Sequence, residues 1–178
     1  MKNYKEMILN GQSEVINISA EKLWEIVGPG FADAGIWSTA VDQSEGAGTG
    51  GFEGAEFGER VCELNTSGFD HVSEKLTQYN VAKMELAYKV QTGMPSFVTF
   101  AENHWTIIKV GENQSVVKLK LTMHMTKIMG GLMGGMMKMK LKNLFQLVFN
   151  DLKVYAETGH VSKEKAKRMA KLSNKQVA

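Results

Sequence analysis

SVVKLKLTMHMT (115–126) runs without a break into KIMGGLMGGMMKMKLKNLFQLVFNDLKVYAET (127–158), and the change of rhythm between the two decides the fold. In the first stretch Val117, Leu119, Leu121, Met123 and Met125 alternate with Lys118, Lys120, Thr122 and His124. A period of two puts one set on each face of a β-strand, so this strand has a dry face and a wet one. Beyond Gly130, Gly131, Gly134 and Gly135 the period becomes helical. From about 136 to 158, Met137, Leu141, Leu144, Phe145, Val148, Leu152 and Tyr155 recur at i, i+3, i+4 spacing, which marks a helix with one buried face. Gly159 suits the left-handed residue that ends such a helix. The join, KIMGGLMGGMMKMKLK, reads as an amphipathic hinge ahead of the helix. It is a loop feeding the helix, a gate over a cavity mouth, or a surface for transient membrane contact.

Four more segments upstream show period-two patterning: 59–65 (ERVCELN), 71–79 (HVSEKLTQY), 83–91 (KMELAYKVQ) and 97–110 (FVTFAENHWTIIKV). The joins at Ser67-Gly68, Gly93-Met94-Pro95 and Gly111-Glu112-Asn113 carry turn residues, so the strands form an antiparallel meander. Residues 5–18 read as a first strand with an irregularity at Gly11. Ser19 is an N-cap for the helix AEKLWEIV, which Gly28-Pro29-Gly30 must end. A second short helix or turn, FADAGIW, closes near Trp37, and the glycine-rich stretch 46–58 is a connector or a bulged edge strand. The expected class is α+β: a curved antiparallel sheet of six or seven strands around a long C-terminal helix, with two short helices after the first strand. Only the long helix is large enough to cover the concave face, and that arrangement leaves room for a hollow. Residues 1–160 form the expected domain. The polar, Lys-rich residues 161–178 read as a tail, either a frayed helix or unstructured chain.

Composition narrows the function. The 178 residues are 43% hydrophobic, ordinary for a globular domain, and a formal charge of +2 with interspersed acids argues against nucleic acid as a partner. One cysteine permits no internal disulfide, and the N-terminus lacks the apolar core of a signal peptide, so a cytoplasmic location is expected. The four histidines have no ligand-like spacing, so no metal site is expected. The glycine-rich stretch lacks the context of a phosphate loop or dinucleotide fingerprint, and no cofactor is expected.

A hairpin turning at 64–70 places residues whose numbers sum to 134 opposite one another, pairing Arg60 with Glu74 and Cys62 with Val72. Opposite residues share a face, so Arg60, Cys62, Leu64, Val72, Glu74 and Leu76 all point inward. In a chain with two arginines and nineteen lysines, an inward arginine suggests a need for planar, bidentate recognition of a carboxylate or carbonyl. The alternative is a buried ion pair that fixes register. Trp37, Tyr88, Val90, Leu121, Met123, Leu141, Leu144, Phe145 and Val148 are the expected apolar walls of a ligand site, or else plain core. Proton transfer, if there is any, falls to Glu74 or to a Glu74–His104 dyad.

The segment GERVCELNTSGFDHVSEKLTQYN, followed by MELAYKVQTG and MPSFVTF, resembles the polyketide cyclase/dehydrase and lipid-transport family of the START-like superfamily. Arg60 after a glycine-rich stretch, Gly68 in a turn, Glu74 and Leu76 on the next strand, then Tyr88 and Pro95 carry the resemblance, over roughly residues 5 to 158. It implies the helix-grip fold of birch-pollen-type allergens and plant abscisic-acid receptors, with the Glu74 position lining the pocket. Asn80 stands nearest the place where the family commonly has an aspartate. The expected function is binding or transport of a small hydrophobic ligand, such as a lipid, isoprenoid, aromatic or polyketide-like molecule. The alternatives are a cyclase or dehydratase and a membrane or protein interaction module.

Overall fold

The computed structural model describes residues 3–65 and 70–176, leaving the Ser67-Gly68 turn outside the described residues. Seven strands form one fully antiparallel sheet in the order β1-β7-β6-β5-β4-β3-β2. They are β1 (Tyr4–Gln12), β2 (Val41–Ala47), β3 (Glu59–Leu64), β4 (His71–Asn80), β5 (Glu85–Thr92), β6 (Val98–Gly111) and β7 (Gln114–Thr126). Two short helices, α1 (Ala20–Val27) and α2 (Ala34–Trp37), flank a 3₁₀ turn at Pro29–Asp33, and α3 (Lys127–Thr158) and α4 (Lys163–Gln176) follow the last strand. The sheet is thus the expected one in class and topology. The first strand stops at Gln12, six residues short of the expected 18, and only an isolated bridge between Ile16 and Ser115 continues it.

The alternation of the opening stretch becomes burial. Val117, Leu119, Leu121, Met123 and Met125 are all buried on the concave face, while Lys118 and Lys120 are exposed on the other. Ser19 caps α1 as its sequence demands, accepting the Lys22 N–H at 3.3 Å. Gly159 ends α3 in the left-handed region (φ 71°), its N–H bonded to the Tyr155 carbonyl at 2.8 Å.

Two expectations need correction. The glycine-rich hinge is helical, because α3 begins at Lys127 directly after β7. Each glycine costs a helix about 0.8–1 kcal/mol relative to alanine, but the well-packed C-terminal half supplies the nucleus and propagation adds a hydrogen bond per residue. In that half Phe145, Phe149 and Leu152 are buried, and Gly11 of β1 gives them room: a Cβ there would lie 2.7 Å from Phe145 Cδ2.

The Lys-rich tail, second, forms α4 and is tied to the sheet. Ser162 accepts the Lys165 N–H at 3.1 Å and donates to Asp151, a fully buried carboxylate that also accepts the Thr39 N–H at 2.7 Å. Lys165, 1% exposed, donates Nζ to the Val41 carbonyl at 2.7 Å, and Arg168 grips Asp42 through both Nε and Nη2. Composition hides this, since a buried lysine is legible only once its acceptor is in place.

Candidate ligand cavity

Between the concave face and the N-terminal half of α3 lies a cavity of about 530 Å³. Four layers of the fold wall it: Ile26, Phe31 and Trp37 from the α1–α2 region; Arg60, Leu64, Val72 and Glu74 from β3 and β4; Tyr88, Val90, Trp105, Leu121 and Met123 from β5 to β7; and Met137, Leu141, Leu144, Phe145 and Val148 from α3. Among the described lining residues, Met136 and Lys140 are the exposed ones, so the rim lies along this stretch of α3.

Arg60 and Glu74 meet as the register requires. They are Cα partners across β3 and β4, and Arg60 Nε donates to Glu74 Oε2 at 2.6 Å with both residues 7% exposed. Arg60 Nη1 donates to the Phe31 carbonyl at 2.6 Å, and the guanidinium carbon lies 4.2 Å and 4.7 Å from the ring centroids of Phe31 and Tyr88. A planar cation lying against two aromatic rings that themselves meet at 5.5 Å, and bonded at its edge, is an arrangement that lysine cannot make. Burial works against the Arg60 charge, but the Glu74 carboxylate more than offsets it, so the guanidinium holds its proton more tightly than usual. Burial, then the Glu74 charge, pushes the Tyr88 phenol up, so the hydroxyl is neutral at any physiological pH. The pair is thus both a buried ion pair that fixes register and a polar edge of the cavity wall.

Of the residues singled out from the sequence, Trp37, Arg60, Glu74, Tyr88, Val90, Leu121, Met123, Leu141, Leu144, Phe145 and Val148 line the cavity. Cys62 and Leu76 point inward but lie in the packed core beside it. The Cys62 thiol sits 3.8 Å from Glu74 Oε2, and burial pushes its pKa up to about 11. His104 does not belong to the site. Ala101, Asn103 and Trp105 of β6 line the cavity, so strand alternation turns His104 to the opposite face, beside Lys118 and Lys120. No dyad with Glu74 forms. Asn80 serves a turn, its Oδ1 accepting the Lys83 N–H at 2.9 Å.

Phe31, Asn103, Trp105 and Met94 are among the wall residues that the sequence does not single out. The period-two pattern of 97–110 carries Asn103 and Trp105 on one face, but large side chains on both faces leave the inward one unmarked in the sequence. Phe31 lies in a 3₁₀ turn, where no periodicity marks its direction.

Many solved structures share this architecture over nearly the whole chain, among them the following two. A START superfamily protein from Mycobacterium smegmatis gives a TM-score of 0.69 at 14% identity, covering 86% of this chain and 99% of that one. Norcoclaurine synthase from Thalictrum flavum, solved in complex with dopamine and hydroxybenzaldehyde, gives 0.67 at 14% identity, covering 90% of this chain and 91% of that one. At such identities the likeness is one of fold. No curated protein matches the chain in sequence. A sequence model of the family described as "Polyketide cyclase / dehydrase and lipid transport" matches residues 11–157, and with the sheet, the gripping helix and the hollow between them already in place, the chain belongs to that family.

Proposed function

We propose that this protein binds and carries a small, largely apolar molecule in the cavity between the sheet and α3. The observation that carries the reading is the cavity itself. Its volume of about 530 Å³ falls within the range of small-molecule sites, roughly 300–1,000 Å³. Its walls are mostly aliphatic, aromatic and methionine side chains, and a few polar groups, Arg60, Glu74, Tyr88 and Asn103, converge on it. The apolar walls favour burial of a hydrocarbon or aromatic body, and the polar edge orients a carbonyl, hydroxyl or carboxylate. The fold neighbour whose solved complex holds dopamine and hydroxybenzaldehyde makes aromatic molecules part of the proposed ligand class. A carrier is favoured over an acid–base enzyme because Glu74 is engaged by Arg60 and His104 lies on the far face of the sheet. A cytoplasmic location belongs to the same proposal, in keeping with a lone buried cysteine.

The test is binding of an apolar fluorescent probe, with lipid-like and aromatic competitors, to wild type and to Val148→Trp. Val148 lines the cavity from α3, and an indole there fills space that the ligand needs. The expected result is saturable, competed binding by wild type and none by the variant, whose circular dichroism stays native. Equal binding by both would assign the signal to surface patches and sink the carrier reading. Native mass spectrometry of protein purified without denaturant then identifies the retained ligand by mass.

A further inference from the structure

The N-terminal half of α3 carries a surface that the cavity does not use. Met137 and Leu141 turn toward the hollow, while Ile128 (76% exposed) and Met139 (60%) face out. Ile128 and Met139 stand eleven positions apart, about three turns at 3.6 residues per turn, so they lie in line on one face. Gly135 falls on the same line, and a Cβ added there meets nothing within 4 Å. Lys127, Lys138 and Lys142 flank this stripe on one side and Lys140 on the other, all exposed. No aspartate or glutamate occurs between Glu112 and Asp151, so the whole helix half is cationic without local compensation. An apolar line flanked by lysines is the pattern of a helix lying in a membrane interface, with the apolar residues among the acyl chains and the ammonium groups at the phosphates.

We propose that residues 127–142 of α3 dock this protein on an anionic lipid bilayer. Charge complementarity selects the occupant: a neutral bilayer offers the lysines nothing, and a protein groove would have to supply acids opposite Lys127, Lys138 and Lys142 and again opposite Lys140. The same helix half forms the cavity rim, since Met136 and Lys140 line the cavity and are exposed. Docking therefore brings the mouth of the hollow to the lipid. The inference does not depend on which molecule the cavity binds.

Vesicle co-flotation tests it, using phosphatidylcholine alone and phosphatidylcholine mixed with phosphatidylserine. Wild type is expected on the mixed vesicles only, and less as salt screens the contact. Two lysines at the surface of an anionic membrane together account for about twentyfold in affinity or more, so Lys138→Glu with Lys142→Glu should lose at least that factor. Ile128→Ser with Met139→Ser should also weaken binding, without changing charge. None of these four residues lines the cavity, so probe binding should stay at the wild-type level and report an intact fold. Equal binding to both vesicle types, no vesicle binding, or binding that survives both double substitutions overturns the proposal. Loss of probe binding in wild type, with vesicle binding kept, would count against the carrier reading alone.

Discussion

Arg60 holds three neighbours at once: the Glu74 carboxylate, the Phe31 carbonyl and the face of Tyr88. Glu74→Ala leaves that buried cation without its counter-charge, a loss of about 3–5 kcal/mol expected in urea unfolding. Arg60→Met with Glu74→Leu should recover much of it, because an apolar pair removes both desolvation costs. Full recovery is not expected, since the Phe31 carbonyl loses its donor. A double-mutant pair as unstable as Glu74→Ala alone would mean that packing, and not charge, sets the effect. Cys62 makes a second prediction. With its pKa pushed up to about 11 by burial, the thiol should resist alkylation at pH 8 in the folded protein and react on denaturation. The folded pKa lies above the ordinary thiol value, so the protonated form is favoured by folding. That contribution is complete below about pH 9 and falls away as pH rises toward 11. Tyr79, pushed up to about 12 by burial, adds a loss of the same sign at higher pH. Because burial lowers the Lys165 pKa and so acts with the opposite sign, the check is a comparison: stability from pH 8 to 11 should fall more steeply in wild type than in Cys62→Ala, and parallel profiles would contradict the buried thiol.

α3 is one helix with two characters. Its C-terminal half packs Phe145, Phe149 and Leu152 onto the sheet, while its N-terminal half stands over the hollow with Gly131, Gly134 and Gly135, whose Cβ positions are open. A glycine of β1 beneath the C-terminal half and the glycines within the N-terminal half should answer opposite ways to the same substitution. Gly11→Ala forces a methyl to 2.7 Å from Phe145 and 3.0 Å from Phe149, an overpacking cost of about 1–3 kcal/mol. Gly134→Ala or Gly135→Ala meets nothing within 4 Å and should stabilise by about 0.5–1 kcal/mol through helix propensity. Denaturant midpoints compare the three variants directly. Destabilisation by Gly134→Ala would show that the glycine answers a need for opening, not merely for space.

The whole molecule is closed by contacts distant in sequence. Asp151 of α3, Ser162 ahead of α4 and the Thr39 N–H form one buried knot, and Lys165 and Arg168 fasten α4 to Val41 and Asp42. Ser38, Ala40 and Val41, in the clamped stretch, line the cavity. Removing residues 161–178 strips a buried carboxylate of one donor and the Val41 carbonyl of another, each worth about 1–3 kcal/mol. A melting point lower by roughly 5–10 °C is expected for a chain of this size, with weaker probe binding as the 38–41 wall loosens. An unchanged melting point would make α4 an ornament of the surface.

The amino-acid sequence by itself determined which faces are dry. Alternation in 115–126 and helical spacing after 135 are local patterns that survive in any context consistent with burial on one side. The Arg60–Glu74 pairing followed from hairpin arithmetic, which is also local. Tertiary structure alone decided the face of His104: segment 97–110 carries large side chains on both faces, and only pairing with β5 and β7 orients it. It alone turned a Lys-rich tail into a clamp, because Lys165 is buried by an acceptor 124 positions away. And it alone made a hollow, since a cavity wall and a packed core are built from the same apolar residues. They differ in how far apart the sheet and the helix come to rest.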